Sequence, residues 1–397
     1  MQRPLLYWLL AALLLAGGGY YRFRLVRNPD FELGFDEKVY VAYVERLQER
    51  GVGGYPSLFR EYPGEVAKAP YVYLPPSRVG YLLPAWAIAR LTQWSAYEAL
   101  RFVSAAASWL FMLVGFLFAR RWVTPRMSLA VLALLACAPL QIHLSQYAFI
   151  DGVASLWVIV AAAAARECLR QPGRIGWAVA TGFGAFALLL TKQETAVFVA
   201  LFFVCALLFG KRLGFTSRCW PCAVALGAAM LGGLLALFVL AGGIADFVAT
   251  MRTYFELAQN LPYSIATGDG PWQRYLLEYL LIEPLVFLLA LAGIFRGQFK
   301  DGTGRYWLLF FVTTYVVMCS IPNGMNLRFT AMWDFPLALF AVVGISSLTT
   351  RLRHPVWWAA ALTGFVCFMS LRQYGTIFHE LYDTDPRFML RAVRILK

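Results

Sequence analysis

Charge is what this chain has least of. Only 14% of its 397 residues are Asp, Glu, Lys or Arg, and 60% are hydrophobic, whereas a soluble domain carries about 25% charged residues. Apolar runs of 16 to 22 residues recur along most of its length. The composition therefore excludes a soluble globular class and gives an all-α polytopic membrane protein. Histidine is almost missing, and His143, His354 and His379 stand far apart. With no HExxH pair, no Ser-His-Asp order and no Gly-rich phosphate loop, the familiar zinc-hydrolase, acyl-transfer and P-loop chemistries are excluded. Seven cysteines are scattered, mostly inside apolar runs, with no disulfide framework. Cys219-Trp220-Pro221-Cys222 has CxxC spacing but lies beside a basic loop without a second pair, and reads as ordinary buried cysteines. No internal repeat, low-complexity tract or soluble domain is visible, so the repeat signature of many transporters is lacking. No small-residue cleavage site follows residues 5–16, which read as part of an uncleaved first helix.

The charge that is present is arranged. The net charge is +13, but most Lys and Arg lie in short loops between apolar runs. That pattern orients a protein in a membrane and does not call for a nucleic-acid partner. Spans are expected at 4–21, 99–119, 127–143, 149–165, 175–191, 195–210, 219–243, 276–295, 306–321, 329–348 and 355–371. Loops 120–126, 166–174, 211–218 and 296–305 each hold three basic residues and loop 351–353 holds two. The alternating loops 144–148, 192–194 and 322–328 hold none, Lys192 and Arg328. The basic set is expected in the cytoplasm and the poor set outside. If 71–91 also spanned, this alternation would invert. With Pro75, Pro76, Pro84, Ser77 and Arg78 in it, the stretch is expected to lie on or dip into the outer surface. Eleven spans follow, and Arg22, Arg24 and Arg27 then sit just outside the first helix, against the rule.

Residues 28–98 become one long external loop with nine of the 22 acidic residues. Within it, Asp36 is placed to cap a helix with Val39, Tyr40, Tyr43, Val44 and Leu47 on one face, ended by Gly51. Residues 245–275 form a second external excursion and 372–397 a tail. Four clusters fall on the predicted outer face: Asp36 with Glu37, Asp151, Lys192 with Glu194, and Asn326 with Arg328. Each has an ordinary reading as well. Asp36 and Asp151 could be helix caps, and Lys192 and Arg328 could snorkel to the surface. An ionisable residue at a span end is costly unless it faces a wet cavity or a partner. Together the clusters supply a carboxylate to take a proton from an attacking hydroxyl and cations to stabilise a leaving phosphate.

Several short motifs occur in order. They are Phe35-Asp36-Glu37-Lys38-Val39-Tyr40, Tyr73-Leu74-Pro75-Pro76, Tyr81-Leu82-Leu83-Pro84-Ala85-Trp86, Glu98-Ala99-Leu100-Arg101, Ile150-Asp151, Leu190-Thr191-Lys192 and Asn326-Leu327-Arg328-Phe329. The ordered set resembles the GT-C membrane glycosyltransferases related to protein O-mannosyltransferases and to the lipid A aminoarabinose and galacturonic acid transferases. The likeness runs across residues 30 to 210 and more weakly to about 345. The resemblance implies a GT-C-like bundle with juxtamembrane amphipathic helices in the first external loop. It implies a polyprenyl-phosphate-linked sugar donor and an inverting single displacement onto a lipid, glycan or protein hydroxyl. Asp36 is implied as the base or acceptor-orienting carboxylate, with Glu37 as neighbour or alternative, and Asp151 as the second carboxylate. Many relatives have a cation directly before Pro-Pro, where this chain has Leu74. The phosphate ligands therefore stay open among Lys68, Arg78, Arg101, Lys192, Asn326 and Arg328. Some relatives bind a metal through extra residues that have no assigned counterpart here, so no cofactor is assigned and a divalent metal stays open. The bilayer is a partner, and a bacterial inner membrane with the site toward the periplasm is the expected location. Two other classes are carried: a transporter or lipid flippase, and a non-catalytic scaffold of an envelope complex.

Overall fold

The computed structural model describes residues 4–28, 33–68, 74–215, 219–260, 272–296, 299, 302–320 and 327–381. Among these there are helices and no strand. The first group is α1 (Pro4–Phe23), α2 (Phe35–Arg50), α3 (Tyr55–Lys68), α4 (Val79–Thr92), α5 (Ala96–Trp122), α6 (Pro125–Ala136), α7 (Pro139–Gln146) and α8 (Ile150–Arg170). Then come α9 (Ile175–Thr191), α10 (Gln193–Leu208), α11 (Trp220–Ala241) and α12 (Ile244–Asn260). The last are α13 (Arg274–Ile282), α14 (Pro284–Arg296), α15 (Thr303–Ser320), α16 (Asp334–Thr349) and α17 (Pro355–Gly375), with 3₁₀ turns at Val52–Gly54 and Leu327–Trp333.

All eleven expected apolar runs fall on helix, but they do not make eleven helices of spanning length. Among the described residues five segments are long and apolar enough to cross a membrane: α5, α8, α11, Leu327–Thr349 and Pro355–His379. The count is seven if each of two bent pairs is one span. The protein is an integral membrane protein. The bends are where proline interrupts an apolar run. Ala138 is extended before Pro139, and α6 and α7 meet at 49°. α13 and α14 turn by 115° at Glu283-Pro284. Proline has no N–H to continue the ladder and pushes the residue before it out of the helical region. α4, read from sequence as a surface helix, has 14 residues, about 21 Å, too short for a hydrocarbon core of about 30 Å.

A break inside a bilayer frees carbonyls that lipid cannot satisfy, and here Arg22 satisfies them. The expectation placed Arg22 outside the first helix. Instead it is in the last turn of α1, fully buried. Its guanidinium donates to the carbonyls of Leu135 (2.9 Å), Ala136 (3.1 Å) and Gly18 (3.0 Å), and to Ser108 Oγ at 2.8 Å.

α8 is the central helix, packed on α5 and α9 with 89% of its apolar window buried. α14 and α16 pack so closely that a Cβ on Gly293 would lie 2.0 Å from the Phe340 carbonyl oxygen, and one on Gly344 2.1 Å from that of Leu289. Only glycine lets backbones approach this far, as at many membrane helix interfaces.

The first external loop is folded. α2 buries Val39, Tyr40, Tyr43, Val44 and Leu47, as its periodicity predicts, and Gly51 ends it at φ 71°. Its cap differs from expectation: Gly34 is the N-cap and Glu37, not Asp36, reaches back to the Gly34 N–H at 2.6 Å. Phenols then fix the strip that leads to Arg78. Tyr43 donates to Leu74 O at 2.8 Å and Tyr55 to Pro76 O at 2.7 Å. α12 extends helix into the second excursion, where loop was expected, and lies on α3 through Thr250 to Phe59 O (3.0 Å) and Arg60 to Asp246 (3.4 Å).

Candidate active site

Four elements distant in sequence bring their charged side chains to one place. Asp36 comes from the first turn of α2 and Asp151 from the first turn of α8, where the helix dipole favours an acid. Lys192 comes from the break between α9 and α10, and Arg328 from the 3₁₀ turn before α16. Lys192 is extended (φ −151°, ψ 98°) and serves both helices at once. Its N–H closes α9 on Leu188 O at 2.8 Å, while the Gln193 side-chain amide satisfies Leu189 O at 2.7 Å. With the backbone served, the Lys192 side chain turns inward.

There Lys192 Nζ is paired with Asp151 Oδ1. Arg328 Nη1 lies 2.8 Å from Asp36 Oδ2, and its Nε lies 4.0 Å from Asp151 Oδ2. Aromatic faces hold both cations: Lys192 Nζ is 4.2 Å from the Phe329 ring centre and the Arg328 guanidinium 4.7 Å from that of Phe149. The Lys192 and Asp151 side chains are 7% and 5% exposed, whereas Arg328 and Asp36 are 22% and 17% exposed. One ion pair is therefore inside and the other faces the opening. The ordinary readings fail for three residues: Asp36 and Asp151 are not the caps, which are Gly34 and Phe149, and Lys192 does not reach a surface.

Beside this quartet stands a second pair. Arg78 forks onto both oxygens of Glu194, each at 2.5 Å, and also donates to Gln193 Oε1 at 3.1 Å. Ser77 and Tyr254 complete it, Ser77 donating to Gln193 (3.1 Å) and Tyr254 to Glu194 (2.7 Å). Asp36, Asp151 and Glu194 thus face Arg78, Lys192 and Arg328, three anions against three cations. Tyr40 lies buried among these charges, and burial pushes its hydroxyl up, so it stays a neutral phenol.

No family model matches the sequence, and no curated protein matches it. Solved structures do. A crystal structure of ArnT from Cupriavidus metallidurans bound to undecaprenyl phosphate matches with a TM-score of 0.51 over 74% of this chain, at 14% identity. The fold is that of ArnT. This bears out the membrane-embedded helical architecture that the motifs imply. The chain spans 64% of the length of that ArnT. The apo structure of the same ArnT gives a TM-score of 0.46 at 14% identity, over 85% of this chain and 68% of that one.

Three of the described site residues expected from the sequence join neither the quartet nor the Arg78–Glu194 pair. Glu37 is fully buried and bound by backbone: its oxygens accept from Gly34 N and Ala148 N, both at 2.6 Å, and from Tyr97 Oη at 3.4 Å. Burial, set against those two N–H donors, pushes its carboxyl above the usual range. It ties α2 to the segment before α8. Arg101 is another tie, donating to Gln146 O (2.8 Å) and Asn28 O (3.0 Å) with its guanidinium over Tyr97. Lys68 is exposed at the end of α3. Asn326 lies outside the described residues.

Sequence reasoning missed Tyr254, Phe149 and Gln193, and it missed that Glu194 is the partner of Arg78. Only Gln193 had a signal, its place directly after Lys192. Among the described residues no three His, Cys, Asp or Glu side chains gather as metal ligands would. The histidines read as structural: His143 stacks on Phe378 at 4.2 Å, and His379 bonds Tyr374 at 2.8 Å. All seven cysteines, Cys219 and Cys222 among them, are free thiols.

Proposed function

We propose that this protein is a membrane glycosyltransferase that takes a sugar from a polyprenyl phosphate and passes it to a hydroxyl with inversion. The observation that carries the reading is the quartet: a half-open Asp36–Arg328 pair directly beside a buried Asp151–Lys192 pair. It lies in a fold whose ArnT example binds undecaprenyl phosphate. In this reading Asp36 accepts the proton of the acceptor hydroxyl as its oxygen bonds the anomeric carbon. The bond from that carbon to the phosphate oxygen breaks with its electron pair, and the polyprenyl phosphate leaves. Arg328 and Lys192 meet the charge that develops on it, where fixed cations act with little reorganisation. Asp151 holds Lys192 in place. Arg78, committed to Glu194 and Gln193, positions the wall of the site. The acceptor is a lipid, glycan or protein on the outer side of a bacterial inner membrane, the side the basic-loop pattern assigns to these residues.

The two bent helix pairs are a feature that a transporter or flippase would share, and one experiment separates the readings. Membranes from a deletion strain complemented with wild type or Asp36→Asn are charged with radiolabelled polyprenyl-phosphate sugar. Label moving into a lipid, glycan or protein fraction with wild type alone supports transfer and names the acceptor class. Label that crosses the membrane still attached to its lipid supports the transporter.

A further inference from the structure

The charges of the site raise a question that the transferase reading leaves open. A polyprenyl phosphate brings an anion to a place where three carboxylates already match three cations. Among the described residues these six charges balance, so a phosphate gains a cation here when one of the three exchanges its partner. The three pairs are not equally exchangeable. Arg78 is 2% exposed and holds both oxygens of Glu194, with Gln193 as a further acceptor. Lys192 is buried, paired with Asp151 and covered by Phe329. Arg328 lies 2.8 Å from Asp36 and 4.0 Å from Asp151 and, at 22% against 7% for Lys192 and 2% for Arg78, is the most exposed of the three cations. A partly solvated ion pair is held less firmly than a buried one and exchanges its partner more readily. A guanidinium fork suits a phosphate as well as a carboxylate.

We infer that Arg328 masks Asp36 in the empty site and hands itself to the donor phosphate on binding, so that the donor's arrival unmasks the base. The inference rests on the transferase reading. Its consequence is an order of events: the Asp36 oxygen that Arg328 occupies is not open to the acceptor hydroxyl, and it becomes available only when the leaving group is in place. The exchange conserves charge. One carboxylate–guanidinium pair becomes one phosphate–guanidinium pair, and the freed Asp36 charge is the one that the acceptor's proton then neutralises. Arg328 also approaches Asp151, so it can shift toward the phosphate without leaving the acidic face of the site.

The test is a double-mutant cycle on binding, which needs no turnover. Full-length protein in lipid nanodiscs is titrated with radiolabelled undecaprenyl phosphate. If Asp36 competes with the phosphate for Arg328, Asp36→Asn tightens binding about 3- to 10-fold, and Arg328→Gln weakens it at least 10-fold. In the Arg328→Gln background Asp36→Asn then changes affinity less than 2-fold, because the partner it competed for is gone. Asp36→Ser repeats the measurement should the asparagine variant fail to fold. Equal tightening with and without Arg328 means that Asp36 repels the anion by charge alone, and overturns the exchange. Unchanged or weaker binding by Asp36→Asn overturns it too. Wild type that binds no undecaprenyl phosphate overturns the transferase reading itself, which is a different result.

Discussion

At its first turn α8 offers Asp151 to Lys192 and, more distantly, to Arg328. At its last turn it offers Arg166 and Glu167 to the ends of α5 and α15. Glu167 accepts from Arg121 at 3.0 and 3.2 Å, from Trp122 Nε1 at 2.8 Å and from Arg166, which also reaches Thr303 Oγ1 at 2.6 Å. Both groupings are ionic, aromatic-lined and anchored on one helix. They differ in closure. At the last turn the carboxylate itself is shut in: Glu167 is 0% and Arg166 1% exposed, and only Arg121, at 37%, reaches outward. At the other end, half of the quartet opens outward, and its arginine rides on a short 3₁₀ turn, whose hydrogen bonds have poorer geometry than those of an α-helix. A closed ionic cluster can only hold helices. An open one can trade partners. Burial of charge in a membrane protein therefore says little about function until one asks which pair can be reached.

Substitutions break the comparison in opposite ways. The largest effect expected is on transfer: Asp36→Asn lowers it by about 10²- to 10⁴-fold, the usual worth of a positioned proton acceptor, with its thermal midpoint in detergent close to wild type. Glu167→Ala does the reverse. Removing one partner of a buried ion pair costs about 3–5 kcal/mol, so its midpoint falls sharply while transfer per folded molecule is kept. Arg78→Lys tests the case between, a closed pair at the edge of the open site. Losing the fork on Glu194 is expected to cost about 1.5–3 kcal/mol and to lower both the midpoint and the transfer rate. A variant with only one of the two affected would place Arg78 on one side of the comparison.

The smallest effect concerns pH and Glu37. Its folded carboxyl titrates above the unfolded one because it is buried. Below about pH 4.3, the ordinary value for Glu, both states hold the proton. As pH rises through the folded value, the unfolded chain has already lost its proton, and stability falls. Unfolding midpoints of wild type from pH 4 to 7 should show that decline, and Glu37→Gln, which cannot ionise, should flatten it.

Charge in apolar surroundings is what made the site legible. Asp151, Lys192 and Arg328 stand out because a membrane chain tolerates few such residues, and the alternation of basic loops placed them with Asp36 at one end before any contact was known. The pairings were not legible. Arg78 and Glu194 lie in different segments, and no spacing rule joins them. Glu37 was read as a neighbour of the base because sequence shows adjacency and not direction, whereas a helix turns successive side chains about 100° apart. The span count shows the same limit. A hydropathy window sums composition straight across the turns at Pro139 and Pro284 and cannot see that the chain changes direction there. Arg22 looked like an exception to the loop-charge rule because the carbonyls it serves exist only once α6 and α7 have parted.

One short bond has a further consequence. Asp36 belongs to α2 and Asp151 to α8, and the hydrogen bond from Ala148 N to Glu37 stitches those helices together within three residues of each acid. The interval between the two acids is thus gauged by a residue that touches neither of them. Shortening that residue by one methylene, as Glu37→Asp does, would narrow or skew the gap without altering a single ionisable group in it. Adjacent acids thus have unlike surroundings, Asp36 paired with Arg328 and Glu37 held by backbone N–H groups. A change in the size of the molecule admitted between the acids could begin at Glu37, with Asp36 untouched.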